Sequence, residues 1–188
     1  MRGNATRSIR MLTLGVFVSG GSLAGPGEAL AQSAMADGDL LKAYLVDGFE
    51  RAKAWDVSLA EAIPDSAMGW APTPDVRGFA AQVIHAADNG FIGQAMFGMD
   101  APPFGDTATL ERDKTMLVAA VGAGYDWIIA QVRAMSPEAL AGEADLFGRT
   151  MPRWRIGIFA LEHAMWTRGQ LVPYLHAHGV AVPAQRLF

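Results

Sequence analysis

Cysteine is absent from the sequence, and with it go disulfide staples, thiolate metal ligands, iron–sulfur clusters and a cysteine nucleophile. Any metal held by this chain must therefore sit on imidazole, carboxylate, hydroxyl or water. Charge is also sparse: 18% of residues are charged, the formal net charge is -4, and no basic run occurs. A nucleic-acid binder needs a concentrated positive face to displace counterions from phosphate, so no nucleic-acid partner is expected. The P-loop, the dinucleotide fingerprint, G-x-S-x-G and H-E-x-x-H are missing as well, which removes the chemistries those motifs carry.

Apolar residues, by contrast, make up 51% of the 188, enough for a substantial core within one domain and too many for a disordered or low-complexity chain. At the N-terminus Arg2, Arg7 and Arg10 precede an apolar stretch from Met11 to Leu23, and Ala29 to Ala31 (ALA) supplies a small-x-small pattern before Gln32. The apolar run is too short to span a bilayer comfortably. Residues 1–31 therefore read as an export signal, followed by a mature domain over 32–188. Without a twin-arginine pair or a lipid-bearing cysteine, the expected product is periplasmic or secreted, with no stable membrane anchor after cleavage. Loss of the three arginines leaves it more acidic still.

Four helical stretches follow. Leu40, Leu41, Tyr44, Leu45, Phe49 and Ala52 recur at three- and four-residue intervals, predicting a helix from about Asp37 to Ala62. Pro64, Pro72 and Pro74 forbid its continuation, so Ile63 to Val76 should be a connection whose Trp70 folds back onto the helices. A second helix is expected from near Arg77 to Gly98 on the stripe Phe79, Val83, Ala87 and Phe91, and a third from about Thr107 to Met135. Ser136 to Thr150 has room for one helical turn and an irregular or extended return. The fourth helix starts at Pro152, carries Ile156, Ala160, His163, Thr167 and Tyr174 on one face, kinks at Pro173 and closes near Gly179. No alternation of strands and helices, no convincing strand and no internal repeat is visible. The expected architecture is all-α, an antiparallel four-helix bundle.

Two histidines suggest a site. His85 lies on the second helix with Asp88 three residues later, and His163 lies on the fourth, followed by Trp166, Thr167 and Gln170 at i+3, i+4 and i+7. Bundles commonly build sites from inward-facing side chains on different helices. His176 and His178 precede Gly179, where solvated cationic caps suit a helix C-terminus. Arg149, Arg153 and Arg155 are in reach of an anionic ligand, although a solvated face is the plainer reading.

The segment from Trp70 to Phe79 (WAPTPDVRGF), then His85 and Asp88, then Glu162 to Leu171 (EHAMWTRGQL) with Tyr174 and Leu175, together resemble the DinB family of DinB/YfiT-like metalloenzymes over most of the mature chain. The resemblance implies a four-helix bundle, often a homodimer, that binds a divalent ion such as Zn, Ni, Fe or Mn through three histidines; some relatives are thiol-dependent transferases or isomerases. It assigns His85 and Asp88 to the H-x-x-D element of the second helix, and His163 with Gly169 and Gln170 to the fourth. Thr167 stands where the third histidine belongs, and Trp166 occupies a neighbouring position often taken by histidine. A threonine hydroxyl is a poor substitute for imidazole, and an indole N–H cannot coordinate.

Two functional expectations follow. In the leading one the metal site is degenerate: His85 and His163 are satisfied by Asp88, Thr167, Gln170 or each other, Trp166 fills the space of a metal centre, and the protein binds a small ligand or acts as an accessory protein. In the competing one His85 and His163 anchor a divalent metal, with Asp88 supplying charge or orientation, in a hydrolase or thiol transferase.

Overall fold

Helix ends in this chain are set by proline and by short polar caps, which cut the periodic segments more finely than apolar spacing alone would. The computed structural model describes residues 26–88 and 90–184, with side chains from residue 37 onward; most of the expected export signal lies outside the described residues. Helix α1 (Pro26–Ala62) stops one residue short of the Ile63-Pro64 step, as expected where proline disfavours helix in the residue before it. A 3-10 turn, Asp65–Ala67, begins the connection, and Trp70 does fold back, meeting Tyr174 edge-on at 5.7 Å.

Helix α2 runs only from Phe79 to Ala87. At Asp88 the backbone leaves helical space (ψ 89), and the carboxylate accepts the Gly90 amide at 3.0 Å, an Asx-type turn that competes with continued helix. A π-type turn, Gly93–Phe97, resumes the path and closes on Gly98 in the left-handed region. The single second helix expected to reach Gly98 is thus two pieces.

The third expected helix divides in the same way. Asp106 caps the short α3 (Thr107–Leu110) through the Thr109 amide, and Asp113 caps α4 (Lys114–Ala134) through the Met116 amide. Each carboxylate satisfies an amide that the first helical turn leaves without a partner. By length and composition α4 is apolar enough to cross a membrane, yet Leu117, Val121, Tyr125, Ile128 and Val132 form a buried stripe, and the helix packs along α1.

Ser136 caps α5 (Pro137–Ala141), with Pro137 in its first turn. The chain then forms a hairpin, β1 (Glu143–Leu146) and β2 (Arg149–Pro152), antiparallel with Leu146 opposite Arg149. This small sheet corrects the all-α expectation: the described residues are mostly helical, with one two-stranded sheet. The extended return after α5 was legible, but its strands are too short to show alternation. At the tip Phe147 and Gly148 have φ of 55° and 75°, the left-handed pair that matches hairpin twist. Glycine is at ease there, whereas a phenylalanine in that region costs roughly 1–2 kcal/mol.

Helix α6 (Arg153–Gly169) and the short α7 (Val172–Ala177) replace one kinked fourth helix, because Pro173 falls in the first turn of a new helix. One core joins Leu45 and Phe49 of α1, Ile63 just beyond it, Phe79 and Val83 of α2, Leu117, Val121 and Val132 of α4, and Ile156 and Ala160 of α6. Where α1 and α6 meet, both present glycine. A Cβ at Gly48 would stand 2.6 Å from Leu161 Cδ1, and one at Gly157 3.0 Å from Leu45 Cδ2 and Met96 Cε.

Deep in that core lies a polar knot. The Asp56 carboxylate of α1 accepts Arg168 Nε at 2.5 Å and Nη2 at 3.1 Å from α6, and the Tyr125 hydroxyl of α4 donates to its second oxygen at 2.5 Å. Asp56 and Tyr125 are fully buried and Arg168 nearly so. Burial pulls the Arg168 pKa down, but the Asp56 carboxylate and Tyr125 outweigh it and raise it overall. For Tyr125, burial and the adjacent Asp56 charge both push the phenol well above its ordinary value.

Candidate functional site

His85 sits in the last turn of α2, and His163 lies a little over halfway along α6. Contact between these helices brings the two imidazoles together, with ring centroids 5.1 Å apart and planes nearly perpendicular. Both rings are half-buried. Neither makes a hydrogen bond among the described residues, yet none of their nitrogens is an orphan sealed from solvent, so both pairs of nitrogens remain free to meet a ligand.

Electrostatics favour the uncharged form of the His85 ring. Burial lowers the His85 pKa, the Arg77 guanidinium and the neighbouring His163 lower it further, and the Asp88 carboxylate pulls weakly the other way. His85 is therefore biased towards its neutral form, which offers one donor and one acceptor.

Aromatic rings extend outward from His163. Phe91 stands at 5.9 Å and Phe159 at 6.4 Å, the latter stacked; Phe91 and Phe159 also meet edge-on, and both meet Phe147 of the hairpin tip. The run from Phe147 to His85 is thus continuous, and its outer end is open, Phe147 being 74% exposed.

The other expected site residues divide. Gln170 and Thr167 are linked to α2 by Gln82, whose Nε2 donates to Gln170 Oε1 at 2.8 Å and to the Thr167 backbone oxygen at 3.3 Å. Thr167 is buried. Asp88 lies outside its helix with one oxygen engaged by the Gly90 amide, and Trp166 points outward, 76% exposed. The space expected to hold the indole is instead bordered by Phe91 and Phe159. His178 also departs from expectation: its Nε2 is buried without a partner and its ring lies edge-on to Trp70 at 4.8 Å, so it is no solvated cap.

Gln82 was missed in the sequence because it adjoins the apolar stripe Phe79, Val83, Ala87 and Phe91, where one polar residue reads as noise. In the structure the amide is buried and so needs partners, which Gln170 and the Thr167 backbone oxygen supply. Phe147 was missed for the same reason as the hairpin that carries it.

For a divalent metal the donor set is short. Among the described residues, no group of three or more His, Asp or Glu converges on a point that could hold an ion. Two imidazoles are one ligand below the three that catalytic zinc sites use. The residues present therefore do not fit a three-ligand metal centre.

A DinB-like protein from Bacillus cereus ATCC 10987 superposes with a TM-score of 0.57 over 74% of this chain and 94% of that one, at 15% identity. The fold is DinB-like. No family model matches the sequence, and no curated protein matches it either. At this identity the DinB-like likeness concerns the backbone. The imidazole pair, the Gln82 bridge and the aromatic run belong to this chain's own side chains.

Proposed function

We propose that this chain is an exported member of the DinB family, a four-helix bundle with a degenerate metal site, that binds a small organic molecule between α2 and α6 without a resident metal. The observation that carries the reading is the meeting of His85 and His163 at the inner end of an open aromatic run. A convergence of apolar walls with a few unsatisfied polar groups is what a small-molecule site requires. In this reading the near-neutral His85 exchanges hydrogen bonds with a ligand heteroatom, Phe91 and Phe159 cover its apolar part, and the Gln82–Gln170 bridge fixes α2 against α6.

The metal-dependent hydrolase or thiol transferase reading requires a third donor. Elemental analysis of protein purified without chelator separates the two. Near-stoichiometric Zn, Ni, Fe or Mn that disappears in His163→Ala removes the binding-protein reading. Absence of metal, together with ligand-induced shifts of the His85 and His163 ring resonances in a small-molecule screen, supports it. Thr167→His adds an imidazole one turn from His163; a gain in zinc affinity by calorimetry would show that the helix pair still has room for an ion. Export and homodimerisation belong to the same proposal, and are checked by cell fractionation and by light scattering of the mature protein.

A further inference from the structure

Beside the histidine pair, the hairpin and α6 border an open cavity of about 360 Å³, lined by Phe147, Arg149, Met151, Arg155, Phe159 and Glu162 among others. Arg155, Phe159 and Glu162 are spaced i, i+4, i+7 and so share one face of α6, while Phe147 and Arg149 come from the turn and second strand opposite. The volume falls within the ordinary range for small-molecule sites, about 300–1,000 Å³.

Lys42, Arg51, Lys53, Lys114, Arg133 and Arg168 are each paired with a carboxylate, whereas Arg77, Arg112 and Arg153 are not, among the described residues. Arg149 and Arg155 have no such partner among the described residues, although Glu162 lines the same cavity. Two guanidinium groups without a carboxylate partner among the described residues thus line one largely apolar hollow. A guanidinium is also the side chain best shaped to bind a carboxylate through two parallel hydrogen bonds.

Phe147 supplies an independent pointer. It keeps a bulky apolar ring exposed at a left-handed backbone position where glycine or asparagine fits better. Folding gains little from such a ring in water, and local strain of this kind accumulates where a side chain has a task. Here the ring forms one wall of the cavity.

We propose that the hairpin and α6 form a binding site for a compact apolar carboxylate, such as an arylalkanoate. Its apolar body lies between Phe147 and Phe159 over Met151, and its carboxylate meets Arg149 and Arg155. Glu162 repels the acid end and so fixes the ligand's direction. The site shares the Phe147–Phe159 wall with the histidine pair and goes beyond that reading, because its anion contact does not involve an imidazole.

Titration calorimetry of the purified protein with 4-phenylbutyrate and its neutral counterpart 4-phenylbutanol tests the assignment. Saturable binding of the acid is expected, with the alcohol about tenfold weaker because the charge-assisted contact is lost. Arg149→Gln combined with Arg155→Gln should weaken the acid about tenfold and leave the alcohol unchanged, with a circular dichroism spectrum like that of the parent. Phe147→Gly should raise thermal stability by removing strain while weakening both compounds, a combination that a purely structural role does not give. Equal binding of acid and alcohol, no saturation by the acid up to millimolar concentration, or an affinity insensitive to the double arginine change would overturn the proposal. So would acid binding abolished by His85→Ala yet retained in the arginine variant. Acid binding that survives His85→Ala supports this site even if the histidine-centred reading fails.

Discussion

Arg168 and His163 lie little more than a turn apart on α6, yet they serve opposite ends. Arg168 turns into the core, where the Asp56 carboxylate and the backbone oxygen of Ala52 accept its N–H groups, while Trp55 lies 5.1 Å from the guanidinium. His163 turns towards α2 and an opening, with aromatic neighbours and no hydrogen-bond partner among the described residues. A polar group whose partners are all internal can fasten helices together but has nothing left to offer a ligand. One whose partners are missing weakens the fold slightly and keeps its bonding capacity for something else. By this contrast the Asp56–Tyr125–Arg168 knot is architecture, and the imidazole pair is the place to look for function.

The sharpest way to break the contrast is at Asp56. Asp56→Ala strands the Arg168 charge in the core and should cost about 3–5 kcal/mol in urea unfolding; a loss below about 1 kcal/mol would mean that water reaches the guanidinium. Tyr125→Phe leaves the ion pair but removes a buried donor, for an expected loss of about 1–2 kcal/mol, read from the same unfolding midpoints. His163→Ala should fall below both, at about 1 kcal/mol or less, because its ring is half-exposed and unbonded. If it proves as costly as Asp56→Ala, the imidazole pair is a structural fastening after all.

Proton titration gives the smallest effect. Folding depresses the His85 pKa, so the stability it contributes is complete above the unfolded value of about 6.5 and is lost as pH falls through the folded value beneath it. Burial is the leading cause and remains in any surface variant, so Arg77→Gln should move the His85 midpoint only part of the way back upward in a ring-proton titration. No movement would show that the guanidinium is screened by solvent.

Much of this was written in the sequence where one residue type enforces one behaviour. Pro64 ended α1, Ser136 and Pro137 opened a helical turn, and Pro173 interrupted the last helix, because each of these residues has few conformational options. His85 and His163 were singled out from helical spacing as faces able to meet, and contact between α2 and α6 brings their rings to 5.1 Å. Breaks at Asp88, Asp106 and Asp113 were not legible, because an aspartate inside a periodic segment is equally at home as a solvated helical residue or as a cap. Rotation about the helix axis was the other gap: Trp166 lies three residues from a histidine in the site, and that small angular offset carried it out to solvent.

The paired glycines where α1 and α6 touch have a consequence for how this protein tolerates change. Gly48 and Gly157 leave room for the tips of flexible side chains, Leu161 of α6 over Gly48 and Leu45 of α1 with Met96 over Gly157. A methyl group at either glycine meets only those tips, so it is accommodated where Leu161, or Leu45 and Met96, can swing aside, and the seating of α6 follows the rotamers of these three residues.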